Sequence, residues 1–148
     1  MLHTVLKDAL DREFAATMLE PAELCRDALL VRLCNDVMIE LRMPDATEYS
    51  IGWRWGDAEL RIDTAPLHCE LATFPNHLHD SEGRLRADPL TDPSREPWVN
   101  VRAVVAALLE DPLLARLRTA SPVDVPGAAA TNWQERSASP GINRSAAR

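Results

Sequence analysis

Apolar and polar positions along this chain change period twice. Over 2–19, Leu2, Val5, Leu6, Ala9 and Leu10 recur at helical spacing, while Asp8, Asp11 and Arg12 fall elsewhere on the wheel. That spacing predicts an amphipathic helix. Pro21 predicts a second short helical stretch, 21–27, because proline is tolerated in a first helical turn. From Ala28 the period becomes two. Leu29, Val31 and Leu33 point one way and Arg32 the other. Val37, Ile39, Leu41 and Met43 then alternate with Met38, Glu40 and Arg42. Tyr49, Ile51, Trp53 and Trp55 alternate with Ser50, Gly52 and Arg54, and Leu60 and Ile62 with Glu59, Arg61 and Asp63. Asn35-Asp36, Pro44-Asp45 and Gly56-Asp57 separate these runs as turns.

Four alternating runs joined by short turns predict a four-stranded antiparallel meander with one apolar and one polar face. Residues 64–97 read as irregular and are rich in Pro, His and Asp; long loops of that kind tend to be functional. Helical period returns at Pro97, where Trp98, Val101, Val104, Val105, Leu108 and Leu109 form an apolar stripe that Asp111-Pro112 ends. Residues 113–117 add a further turn. Beyond Ser121 the chain has little apolar content to bury, apart from Trp133 and Ile142. The expected organisation is one α+β domain over 1–120, with helices on the apolar face of the sheet, and a disordered tail over 121–148.

Composition narrows the partners. The chain has 148 residues and a formal net charge of −7, which argues against bulk electrostatic capture of nucleic acid, although a local basic patch stays possible. Three cysteines at wide spacing, Cys25, Cys34 and Cys69, form no disulfide framework and read as reduced thiols. Cys25 and Cys34 are expected in the core. The first residues lack the layout of a secretory signal. No apolar run reaches the roughly 18–20 residues that cross a bilayer. A cytoplasmic protein with no membrane partner is the expectation.

Three of the four histidines, His68, His77 and His79, fall within twelve positions; the fourth, His3, is isolated and expected to face solvent. Imidazoles give and take protons near neutral pH. Two in one pocket, with a cation for the phosphate, suffice for ribonuclease chemistry without a metal. In extended backbone His77 and His79 share one side. That arrangement also suits a metal completed by His68, Cys69 or Asp80, but the spacing is not a strong zinc signature, and no cofactor is expected. The loop histidines could equally pin an irregular turn. Asp63 either orients one of the imidazoles or caps the turn at Thr64.

The stretch from Tyr49 to Asp80 resembles the TumE family of toxins from toxin–antitoxin pairs. The residues that carry the resemblance are Tyr49 and Ser50 in a strand, then Asp63, Ala65, Pro66 and His68, then Thr73, Phe74, Pro75, His77 and His79. The meander before them and the helix after them fit the same layout, so the resemblance covers about 29–109. The chain departs from the family pattern at Gly52, Thr64, Leu67 and Asn76; histidine is the family residue at three of these and asparagine at Thr64. The resemblance implies a toxin with a cognate antitoxin as its partner. Histidine chemistry adds a metal-independent endoribonuclease, or another block on translation, with His68, His77, His79 and Asp63 as catalytic candidates.

Arg32, Arg42, Arg54 and Arg61 fall on the predicted polar face. A guanidinium row could hold RNA phosphates, with Arg54 and Arg61 the candidate substrate-binding pair. The alternative is cross-strand pairing with Glu40, Glu48 and Glu59. The phase of Trp53 and Trp55 puts both on the apolar face. The other reading of the whole chain is a non-catalytic module that docks a partner protein.

Overall fold

The structure, a computed structural model, describes residues 1–119; the predicted tail over 121–148 lies outside the described residues. Helix α1 spans Leu2–Glu13 and runs into a 3-10 turn at Ala15–Thr17. Seven strands follow: β1 (Glu23–Cys25), β2 (Ala28–Arg32), β3 (Met38–Arg42), β4 (Ser50–Trp55), β5 (Ala58–Asp63), β6 (His77–His79) and β7 (Leu85–Ala87). Helix α2 spans Pro97–Glu110 and α3 Ala115–Thr119. The strands pair in chain order, each antiparallel to the next.

The architecture is α+β, as the periodicity predicts, but the sheet has seven strands rather than four. The four predicted runs are β2 to β5. Strand β1 replaces the helix expected at 21–27. Its three residues are all exposed, so no apolar period marks it. Arg26, at φ +55, reverses the chain and sets Cys25 opposite Ala28. Strands β6 and β7 are three residues each, too short for alternation to register against the surrounding turn residues.

The helices cover one face. Leu6 and Leu10 of α1 and Val101, Val104, Val105 and Leu108 of α2 pack with Leu29, Val31, Ile39, Leu41, Ile51 and Ile62 into a single core. Pro97 opens α2 at its first turn, where its missing N–H costs no helical bond. At the other end Asn35 Nδ2 donates to the Leu108 carbonyl at 2.9 Å, satisfying an acceptor the helix leaves free. Gly56, at φ +58, takes the first position of the two-residue turn between Trp55 and Ala58, a backbone that type II′ hairpins require.

Trp53 is buried, as its phase predicts, and its Nε1 donates to the Pro112 carbonyl at 2.8 Å. Four other placements, those of Trp55, Cys25, Cys34 and His3, differ from the expectation. Trp55, one pleat on, is 40% exposed because it sits at the strand end, bonded through Nε1 to the Asn35 carbonyl. Cys25 and Cys34 are exposed, as is Cys69. His3 is half-buried, and its Nε2 accepts from the Met43 amide at 3.1 Å.

Candidate functional site

The face of the sheet away from the helices carries the chemistry. Alternation in β5 sends Leu60 and Ile62 to the core and Glu59, Arg61 and Asp63 to the other side. Strand β6 pairs with β5 so that Asp63 opposes His77, Ile62 opposes Leu78 and Arg61 opposes His79. Leu78 is core, so both imidazoles stand on the polar face beside Asp63 and Arg61. Two histidines at i and i+2 therefore meet a carboxylate and a guanidinium at i and i−2 of the neighbouring strand.

The groups converge tightly. His77 Nε2 lies 3.1 Å from Asp63 Oδ1 and 3.1 Å from His79 Nε2. His79 Nε2 lies 3.4 Å from Asp63 Oδ2. Arg61 Nε donates to Asp63 Oδ2 at 2.9 Å, and its Nη2 reaches His79 Nε2 at 3.3 Å. The His77 side chain is sealed at 2% exposure, while that of His79 is 30% exposed. His77 Nδ1 faces the Pro75 carbonyl at 3.1 Å. A carbonyl only accepts, so Nδ1 carries a proton, and Nε2 is the nitrogen turned toward Asp63 and His79. Partial burial holds the His79 imidazolium below the usual histidine range, with the Arg61 charge acting the same way and Asp63 opposing.

Asp63 fills both roles the sequence left open. Its Oδ1 accepts from the Ala65 amide at 3.1 Å, fixing the turn, and it faces both imidazoles. His68 stands next to the cluster rather than in it. Its ring meets the His77 ring edge-on at 4.8 Å between centroids, and its Nδ1 is 3.5 Å from Glu70. Asp80 is no ligand candidate. It is buried and accepts from Arg86 Nε at 2.6 Å and from the Glu82 and Arg84 amides. Cys69 is exposed and does not join the cluster, whose ligand atoms come from Asp63, His77 and His79.

His79 and Arg61 border an open groove of about 1200 Å³ that runs across the polar face toward β2. The arginines along it pair with carboxylates: Arg32 with Glu20 at 3.6 Å, Arg42 with Glu40 and Asp27, and Arg54 with Glu59. The alternative the sequence left open, cross-strand pairing, is the arrangement found for Glu59 with Arg54; Glu40 instead pairs with Arg42 along its own strand, and Glu48 donates its amide to Asp45. Arg54 sits one pleat away from Gly52, which opposes Arg61, and does not reach the histidines. Four arginines and six carboxylates line the groove, so it offers no net positive field to a phosphate backbone.

Sequence reading missed the anchor beneath the site. Asn76 is 3% exposed and donates from Nδ2 to Asp88 Oδ2 at 2.7 Å and to the Thr91 carbonyl at 2.9 Å. Asp88 also takes the Leu90 and Thr91 amides and the Thr91 hydroxyl, which in turn meets the Tyr49 hydroxyl at 2.7 Å. Thr73 Oγ1 accepts from the Asp88 amide and donates to the Asn76 carbonyl. Residues twelve to fifteen positions apart lock together here, with no periodic signal to announce them.

The chain matches no family model, no curated protein and no solved structure. Among the described residues no helix is long and apolar enough to cross a membrane.

Proposed function

We propose that this chain is a toxin of a toxin–antitoxin pair and that the Asp63–His77–His79 centre attacks an RNA phosphodiester. One observation carries the reading: two imidazole nitrogens and a carboxylate converge within 4.8 Å of one another, beside a guanidinium and an open groove. One imidazole can take the proton from the attacking ribose 2′-hydroxyl as its oxygen bonds to phosphorus, and the other, in its protonated form, can give a proton to the 5′-oxygen as the P–O bond breaks. Arg61 is the nearby cation for a phosphate oxygen; its side chain is half-exposed and free to trade one Asp63 bond for a substrate bond. His68 packs edge-on against the ring of His77. The resemblance over 49–80 supplies the toxin role, and the cytoplasm is where such a target lies.

Induced expression is expected to arrest growth, with RNA cleavage by the purified chain. His79→Gln, which keeps a polar side chain at a partly exposed position, should abolish both while leaving thermal stability near that of the parent. Arrest by His79→Gln at equal expression would remove the centre from the activity.

The groove favours a second reading for its own part of the surface. Alternating ion pairs without net positive charge suit a polar protein partner better than a bare phosphate backbone. A cognate antitoxin, or the partner of a non-catalytic module, fits there. Charge reversal at Arg42 and Arg54 should then release a co-purifying partner without touching the histidines; unchanged recovery counts against it.

A further inference from the structure

We propose that Asp63, His77 and His79 form a site for one divalent first-row transition-metal ion, held through Asp63 carboxylate oxygen, His77 Nε2 and His79 Nε2. This departs from the metal-free route expected from the sequence. It deepens the proposed function by naming what the centre uses to activate its nucleophile, and for that step alone it rests on that reading.

The direction of the ring nitrogens leads to the site. His77 Nδ1 is committed to the Pro75 carbonyl, so Nε2 is the nitrogen it turns to the cluster. His79 Nε2 faces the same point, with Arg61 Nη2 at 3.3 Å. Two imidazole nitrogens and a carboxylate thus face one another 3.1–3.4 Å apart in a partly enclosed corner. A cation at their centre would be shared by all three.

The spacing suits a metal. Ligand bonds of about 2.0–2.2 Å at tetrahedral to octahedral angles put neighbouring donor atoms roughly 3.0–3.5 Å apart. All three ligand atoms lie within 4.8 Å of one another. The supports found around metal ligands are also present. A backbone carbonyl orients the His77 ring, and the Ala65 amide holds Asp63. Nitrogen and carboxylate donors favour zinc, cobalt, nickel, manganese or iron over calcium and magnesium. Three protein ligands leave coordination positions open, and His79 faces the groove from which water or a phosphate oxygen could enter.

Arg61 sets the opposing force. Its Nη2 stands where it competes for the His79 lone pair, so the guanidinium must swing outward when the ion enters. It is half-exposed and able to do so. Arginine and metal are therefore rivals for one negative corner, a relation that a role for Arg61 confined to holding the fold would not produce.

The test is titration of the chelator-treated full chain with cobalt(II), read by visible absorption and by calorimetry, with zinc(II) as competitor. Wild type should saturate at one equivalent and melt at higher temperature with zinc present. His79→Ala and Asp63→Ala should weaken binding by at least about a hundredfold. Arg61→Met should tighten it by about tenfold, an outcome that a misfolded variant cannot mimic. Saturation far below one equivalent, equal binding by His79→Ala, or weaker binding by Arg61→Met would overturn the site. Two further outcomes separate it from the proposed function. Undiminished RNA cleavage by chelator-treated protein that binds no cobalt would sink the metal site and leave the toxin reading standing. Stoichiometric binding by a chain that neither arrests growth nor cuts RNA would do the reverse.

Discussion

Asn76 gives the sharpest test of what holds the histidine strand in place. Its side chain is 3% exposed and spends both amide protons, one on the Asp88 carboxylate and one on the Thr91 carbonyl. A hydrogen bond to a charged group contributes about 1.5–3 kcal/mol net and one to a carbonyl about 0.5–1.5 kcal/mol. Asn76→Ala is therefore expected to cost about 2–4 kcal/mol, since Asp88 keeps its bonds to Leu90 and Thr91. In a domain of this size that lowers the melting temperature by roughly 10–15 °C. Asn76→Asp is nearly isosteric but sets a second carboxylate beside Asp88 in a buried site. It should cost more than the alanine at neutral pH and recover as the medium is acidified, because one of two facing carboxyls must hold a proton. Urea denaturation of the three proteins at neutral and acidic pH measures both effects. If both variants stay within about 0.5 kcal/mol of the parent, the Asn76–Asp88–Thr91 anchor has no energetic role and the reasoning fails.

Three other outcomes follow from particular residues. The single tyrosine, Tyr49, is buried and its phenol is pushed up to about 12, mainly by that burial. A neutral phenol is thus favoured in the fold. The stability it contributes is fully present below the ordinary tyrosine value of 10.0 and is lost as pH rises toward 12; tyrosinate absorbance rising at the ordinary value in native protein would contradict its placement. A methyl group at Gly52 meets only the Leu60 carbonyl at 3.9 Å, and its backbone is not in the left-handed region. Gly52→Ala should therefore stabilise the chain by about 0.5–1 kcal/mol in urea titrations, and destabilisation would show strain at that strand position. All three cysteines are exposed, so a thiol reagent should react with three equivalents per native chain in a single fast phase; a protected pair would restore the core placement that the sequence suggested.

The periodic parts of the fold were legible because burial imposes a period. Leu29 to Leu33, Val37 to Met43, Ile51 to Trp53 and Leu60 to Ile62 alternate and are core as read, and the Val101–Leu108 stripe faces the sheet. What alternation cannot show is a strand too short to repeat or one with no apolar side. Strand β1, exposed throughout, and the three-residue β6 and β7 fall in that class. Exposure at element ends escaped for the same reason. Trp55 has the inward phase but stands at the strand end, and Cys34, next to buried Leu33, takes the outward phase. Within the site, His77, His79, Asp63 and Arg61 were all legible as candidates. Their being one cluster was not, because that depends on which β6 residue faces Asp63.

That register is a physical necessity rather than an accident of the pairing. A slip of one residue between β5 and β6 would turn Leu78 to solvent and push both imidazoles into the core against Ile62. Leu78 is fully buried, so its hydrophobic contribution, on the order of 2 kcal/mol, opposes the slip. The cost of placing two imidazoles among aliphatic side chains opposes it further. The connection over 64–76 enforces the same choice from both ends. Thr64 exchanges hydrogen bonds with Tyr49 at its start, and Asn76 is bolted to Asp88 and Thr91 at its finish. The irregular segment thus works as a clamp on register: its length lets the chain return antiparallel to β5, and its polar anchors decide that His77, and no neighbour, arrives opposite Asp63.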